Sequence, residues 1–83
     1  MYVKKSERES VLFLFGRNLA EMRRKKDISQ DQLAFDSDIS LSALSKIERG
    51  VLNISICNAY KIAKALKVPY KDLFDFELPA NKK

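Results

Sequence analysis

The chain has 83 residues, of which 46% are hydrophobic and 33% charged, with one cysteine, no histidine and a net charge of +5. This length and composition predict one folded, globular domain. The missing histidines and the lone Cys57 exclude the usual zinc sites, an internal disulfide and histidine-based catalytic triads, so neither metal, cofactor nor enzymatic activity is predicted.

The longest apolar run, residues 11–15, is too short to span a bilayer, and no signal-peptide pattern precedes it. We therefore expect a cytoplasmic protein without a membrane partner. The excess of Lys and Arg over Asp and Glu suits a polyanion, although composition alone leaves that partner undecided.

The N-terminal segment, residues 1–6, is predicted to be a flexible, basic arm. Ser6 and Glu9 have the spacing of a capping box, so the first helix is expected from near Glu7 to Lys26. Asp27 is expected to end it in a left-handed turn. The apolar stripe of this helix repeats every three or four residues and is formed by Leu12, Phe15, Leu19 and Met22.

Two further apolar residues of the first helix, Phe13 and Leu14, lie outside that stripe, because each residue advances about 100° around a helix. Two interpretations remain open. A neighbouring helix or the N-terminal arm could partly cover them, or they could belong to a homodimer surface, because adjacent exposed apolar groups usually mark an interface.

Residues 29–50 contain two short amphipathic segments, each opened by a serine. Ser29 can cap a helix from Gln30 to about Ser37, with Gln32 reaching back to complete a capping box. The apolar face of this second helix is predicted to consist of Leu33, Ala34 and Phe35.

Ser40 can cap a third helix over residues 41–49, whose inward residues are Leu44 and Ile47. Gly50 can close that helix in the left-handed conformation, and Asp38 is expected to adopt positive φ in the preceding turn. Two helices joined by so short a turn must cross steeply, which is the helix-turn-helix arrangement.

Ser55 caps a predicted fourth helix that ends before Pro69. Its inward stripe is predicted to be Ile56, Ala59, Tyr60, Ala63 and Leu66, with Ile62 on the flank. Pro69 suits the start of a fifth helix, from Tyr70 to about residue 75. The expected fold is therefore all-α and compact, with five helices in a domain over residues 7–76 and a flexible tail over residues 77–83.

Several motifs carry a resemblance to the Cro and phage-repressor type of helix-turn-helix domain, the xenobiotic-response-element family. They are Ser29-Gln30, Leu33-Ala34, Ile39-Ser40, residues 44–50 (LSKIERG) and residues 62–66 (IAKAL). The resemblance extends from about Phe15 to Phe74. Arg49-Gly50 followed by Asn53-Ile54-Ser55 is similar to the small controller proteins of restriction-modification systems.

The resemblance implies that the third helix enters the major groove of double-stranded DNA. Leu41, Ser42 and Lys46 match positions that commonly touch base edges, with Ala43 and Ser45 nearby. Lys46 can donate to guanine, and Leu41 can contact a thymine methyl group. Alternatively, Leu41 could pack on a neighbouring element and Lys46 could simply be solvated. Leucine departs from the polar or basic residue usual in the family at this position.

Three further roles follow from the resemblance. Phosphate contacts are expected from Gln30, Arg49 and Asn53. Arg23 is expected to form a partly buried ion pair with Glu48. The last helix commonly forms the dimer interface, so the interface is predicted to include Tyr70, Leu73, Phe74 and Phe76, together with Phe13 and Leu14.

The predicted function is that of a transcriptional regulator, which binds a near-palindromic DNA operator as a homodimer. An antitoxin, or another module that binds a protein partner through its exposed apolar residues, is the alternative on the same fold. An enzyme is disfavoured, because the sequence has no glycine-rich phosphate loop and no residues for a catalytic cluster.

Overall fold

The computed structural model describes residues 3–78, and in that range it contains helices and no strands. The elements are α1 (Lys5–Lys25), α2 (Gln30–Ser37), α3 (Leu41–Glu48), α4 (Ile56–Leu66) and a 3-10 helix (Tyr70–Phe74). The all-α prediction is confirmed, but the fifth helix is 3-10 rather than α. Residues 1–2 of the predicted arm and residues 79–83 of the predicted tail lie outside the described range. Among the described helices, none is long and apolar enough to cross a membrane.

One hydrophobic core joins all five helices. In it α2 packs against α3 and α4, α1 packs against α3, and the 3-10 helix packs against α1 and α4. The largest side chains with almost no exposed surface are Leu19, Leu33, Leu44, Ile62, Leu66 and Leu73. Each of the five helices supplies at least one buried apolar side chain to this core, so burial of these side chains holds the helix-turn-helix on α1 and α4.

The buried side of α4 differs from the predicted stripe. Ala59, Ile62, Ala63 and Leu66 are buried, whereas Tyr60 is 57% exposed and Ile56 is 79% exposed. The prediction that Tyr60 and Ile56 face the core is therefore wrong. Where α2 and α4 pack together, α4 buries the small residues Ala59 and Ala63, and α2 buries Ala34. A close-packed contact between such small residues has no space for a tyrosine.

The first helix begins earlier than predicted. It starts at Lys5, and the carboxylate of Glu7 accepts a hydrogen bond from the Lys4 backbone N–H at 3.0 Å. Glu7 thus performs the capping role that was predicted for Glu9. Lys5 and Ser6, which were predicted to lie in the flexible arm, belong to α1. At the other end, Asp27 has φ of 60°, as predicted.

Two glycines allow α1 to lie directly on the end of α3. A Cβ atom at Gly16 would overlap the backbone carbonyl oxygens of Ile47 and Glu48. Gly50 has φ of 78°, and a Cβ atom there would lie 2.7 Å from the Cα of Phe13. These close backbone contacts fix the position of α3 relative to α1.

Candidate nucleic-acid interface

The turn between α2 and α3 consists of residues 38–40. Asp38 has φ of 58° and ψ of 44°, as predicted, and the Ile39 N–H donates to the Ala34 carbonyl at 3.0 Å. Ser40 caps α3, since its Oγ accepts from the Ala43 N–H at 3.0 Å. Asp38, in the left-handed conformation, ends α2, and Ser40 caps α3 only two residues later. These local features make the turn between the two helices short.

The third helix has one buried and one exposed side. Leu44, Ile47 and Glu48 are buried, and Ile47 is only 2% exposed. The opposite side carries the exposed residues Leu41, Ser42 and Lys46, followed by Arg49 at the end of the helix. This side presents one apolar group, one hydroxyl and two cations to solvent.

Two of the residues predicted near the bases are less accessible. Ala43 and Ser45 are half-buried, and Ala43 packs against the hydrophobic core. Their backbone lies on the border between the buried and exposed sides. Leu41, 44% exposed, is the large apolar residue of the exposed side.

A buried polar network ties α3 to α1 and α2. The Glu48 carboxylate accepts from Arg23 Nε at 2.7 Å and from Arg23 Nη2 at 3.1 Å, so the ion pair implied by the resemblance is present. The Arg23 side chain also donates from Nη1 to the Ile28 carbonyl at 2.8 Å. Each polar group of the pair is therefore hydrogen-bonded although it is removed from water, which a buried charge requires.

Gln30, a predicted phosphate contact, belongs to the same network. Its Nε2 donates to Glu48 Oε1 at 2.8 Å. An ionised carboxylate can only accept, so the amide nitrogen must face Glu48. One of the two N–H groups of Gln30 is then used inside the protein, which the sequence pattern did not reveal. The second N–H group is the one that can donate to a phosphate.

The predicted capping box of α2 forms only in part. Ser29 Oγ accepts from the Gln32 N–H at 3.1 Å, as predicted. The side chain of Gln32 donates instead to Asp36 Oδ1, one turn further along the helix, at 2.8 Å. The prediction that Gln32 reaches back to the cap is therefore wrong, because a carboxylate four residues away on the same face competes for its amide.

The predicted inward position of Phe35 is also wrong. Its side chain is 82% exposed, more than any other large apolar residue of residues 3–78. Leu33 and Ala34 alone fill the buried side of α2, together with Ser37, whose hydroxyl donates to the Leu33 carbonyl at 2.6 Å. Phe35 lies instead beside Leu41, on the rim of an open hollow between α2 and α3.

The other two predicted phosphate contacts lie at the exit of α3. Arg49 and Asn53 are both exposed. Asn53 Oδ1 accepts from the Ile54 N–H at 2.8 Å. This bond uses the oxygen of the amide and not the nitrogen, which is the group able to donate to a phosphate.

A separate apolar patch lies where α1, the loop after α3, α4 and the 3-10 helix meet. It surrounds a hollow of about 160 Å³. The ring of Phe74 packs in a tilted arrangement against those of Phe15 and Tyr70, with ring centroids 5.2 and 5.5 Å apart. The exposed apolar residues that line this apolar patch are Val11, Leu52, Ile56, Tyr70 and Phe74.

The predicted dimer residues fall into three groups. Tyr70, Phe74 and the half-buried Phe76 line the apolar patch. Leu73 has 0% exposure, so its predicted contact with a partner is wrong, because the monomer core already encloses it. The backbone of Phe13 lies next to Gly50, and its side chain is 52% exposed. Leu14 lines a different hollow next to Phe76, so neither residue lines the patch.

One polar residue that the sequence analysis did not single out positions the 3-10 helix. Asn18 Nδ2 donates to the carbonyl oxygens of Asp72 and Leu73, at 2.9 Å each. It holds the 3-10 helix against α1, since the last carbonyls of a short helix need partners.

Comparisons with known proteins agree with this geometry. A helix-turn-helix family model matches residues 19–73. Control protein C.BamHI of Bacillus amyloliquefaciens is 42% identical over 73 residues, which are 87% of this chain and 90% of that protein. Control protein C.MunI of a Mycoplasma species is 36% identical over 61 residues, which are 72% of this chain and 82% of that protein.

A solved structure shares the fold as well. The restriction-modification controller protein C.AhdI from Aeromonas hydrophila superimposes with a TM-score of 0.75 at 41% identity, covering 76% of this chain and 96% of that one. Both the family and the controller-protein resemblance of the sequence are confirmed. The chain belongs to the helix-turn-helix family of the Cro and phage-repressor type.

Proposed function

We propose that the chain is a transcriptional regulator that binds a near-palindromic operator in double-stranded DNA as a homodimer, in the cytoplasm. The observation that carries this proposal is the division of α3 into a buried side and an exposed side. The exposed side bears Leu41, Ser42 and Lys46, whose chemistry suits thymine methyl groups and the acceptors of guanine. The likeness to control proteins supports a regulatory role.

Phosphate contacts on both sides of α3 would set its register in the groove. Gln30 lies at the first turn of α2, while Arg49 and Asn53 follow α3. Hydrogen bonds to phosphate orient a protein on the duplex and contribute affinity for any sequence, whereas contacts to base edges discriminate among sequences. The residues proposed to contact bases are Leu41, Ser42 and Lys46 on the exposed side of α3, together with Ala43 and Ser45 at its border.

The homodimer is proposed from the apolar patch. Its exposed aromatic and aliphatic side chains surround a hollow, and exposed patches of this kind in soluble proteins usually mark an interface. A second copy on the patch would be related by a two-fold axis. Two copies of α3 could then enter successive major grooves about 34 Å apart, which requires an operator with two-fold symmetry.

The salt dependence of operator binding tests the DNA contacts. If each subunit neutralises three or four phosphates, log K should fall against log salt with a slope of roughly −5 to −7. A slope near zero would contradict DNA binding through phosphate contacts.

The oligomeric state tests the dimer. Ile56→Lys places a charge in the apolar patch, and Ile56 is 79% exposed, so the monomer fold should tolerate the change. Sedimentation should show a dimer for the unmodified protein and a monomer for the variant. The matched control is Val51→Lys, at an apolar residue that is 62% exposed and does not line the hollow. Equal sedimentation of all three proteins would contradict the proposed interface.

A further inference from the structure

An open hollow lies at the start of α3, between α2 and α3. It is lined by the buried residues Ala34 and Ile39, by Asp38 and Ser40 of the turn, and by the exposed residues Phe35 and Leu41. Phe35 is 82% exposed and Leu41 44% exposed. Two large apolar side chains therefore flank the hollow, and neither is covered by the protein, while Asp38 and Ser40 place polar groups in its lining.

The charges around the hollow argue against a phosphate. None of its lining residues is a cation, and Asp38 contributes a carboxylate. A phosphate would be repelled there, whereas a neutral apolar group would not. Nor can the side chains of Leu41 and Phe35 form hydrogen bonds, so they can discriminate bases only by apolar contact.

The position of Leu41 selects the apolar group. Leu41 is the first residue of α3, and in helix-turn-helix proteins the N-terminal residues of the recognition helix meet the base edges. The apolar group that a base pair exposes in the major groove is the C5-methyl group of thymine. 5-Methylcytosine presents a methyl group at the same ring position.

We propose that the hollow between Phe35 and Leu41 receives a pyrimidine C5-methyl group, and that these two residues determine specificity at one position of each half-site. This inference rests on the proposed function, because it requires α3 to lie in the major groove. It adds Phe35, a residue of α2, to the reading surface. Burial of one methyl group contributes about 0.8 kcal/mol, which corresponds to about fourfold in affinity.

The experiment removes methyl groups from the DNA one at a time. On an operator recovered by selection, each thymine of a half-site is replaced by deoxyuridine, which differs only in the missing methyl group. One replacement should weaken binding of the unmodified protein about fourfold. A second arm places cytosine or 5-methylcytosine at that position, and the methylated duplex should bind more tightly than the unmethylated one by a similar factor.

Protein variants assign the effect to the hollow. In Leu41→Ala and in Phe35→Ala, the affinity ratio between thymine and deoxyuridine should fall towards one. Both side chains are exposed, so melting temperatures should stay close to that of the unmodified protein. The matched control is Val51→Ala, at an exposed apolar residue that does not line the hollow and has no proposed DNA contact, so this variant should keep the fourfold ratio.

Two results would overturn the inference. One is an operator at which no replacement of thymine by deoxyuridine lowers the affinity. The other is an affinity ratio between thymine and deoxyuridine that stays unchanged in either Leu41→Ala or Phe35→Ala. In these cases specific binding is still observed, so the proposed function stands. A folded protein that selects no operator would overturn the proposed function together with this inference.

Discussion

The buried ion pair between Arg23 and Glu48 tests how the helix-turn-helix is held on α1. The two side chains are only 10% and 4% exposed. In Glu48→Ala, Arg23 loses hydrogen bonds of 2.7 and 3.1 Å, and Gln30 loses one of 2.8 Å. Removing one partner of a buried pair costs about 3 to 5 kcal/mol, because the other charge stays desolvated. Arg23 keeps its bond to the Ile28 carbonyl, so we expect the lower end, about 3 kcal/mol.

Chemical denaturation at a fixed protein concentration measures this loss, since the stability of a dimer depends on concentration. In a thermal scan, a loss of this size should lower the midpoint by roughly 12 to 24 °C for a domain of this length. The matched control is Glu21→Ala, which removes an i,i+4 pair with Arg17 at 3.4 Å whose side chains are 65% and 52% exposed. An exposed helical pair contributes only about 0.3 to 0.5 kcal/mol.

A double variant separates the charge effect from packing. Arg23→Met with Glu48→Leu removes both charges, so it should be more stable than Glu48→Ala, because no buried charge remains unpaired. If Glu48→Ala and Glu21→Ala lower the free energy of unfolding by the same amount, the assigned role of the buried pair is refuted.

Three further substitutions test α3 and its support. Lys46→Ala should weaken specific DNA binding by about 1 to 3 kcal/mol in a binding titration without changing the melting temperature. The control Lys64→Ala, on α4, should change DNA binding little. If Lys46→Ala weakens binding to random DNA equally, Lys46 is a phosphate contact and does not read a base. Gly16→Ala places a Cβ atom 2.5 Å from the Glu48 carbonyl oxygen, so the free energy of unfolding should fall by about 2 kcal/mol, and an unchanged value would disprove the close packing. Ser40→Ala should cost about 1 kcal/mol through the lost cap of α3, and full stability in denaturation would show that the cap is dispensable.

The boundaries of the helix-turn-helix could be predicted because they depend on local chemistry. Ser29 and Ser40 cap the helices that follow them. Asp38 and Gly50 have the positive φ that was expected of a turn and a helix end. Each of these features involves residues within about four positions in the sequence, so a pattern is sufficient to identify it.

Burial was harder to predict where apolar residues outnumber the positions that the core can take. Phe35, Ile56 and Tyr60 fit an apolar stripe, yet all three are exposed. The choice between Tyr60 and its neighbour Ala59 depends on how closely α2 approaches α4, which is a long-range property. The hydrogen bond between Gln30 and Glu48 also joins residues far apart in the sequence, so no local pattern indicates it.

Selection of bound duplexes from a random DNA library, at about 150 mM salt and read by sequencing, tests the central claim most directly. The proposed function predicts a common site with two-fold symmetry and half-sites about ten base pairs apart. Recovery of no common sequence by folded protein would contradict sequence-specific binding. It would leave only charge attraction to DNA and would favour a protein partner for the exposed apolar residues.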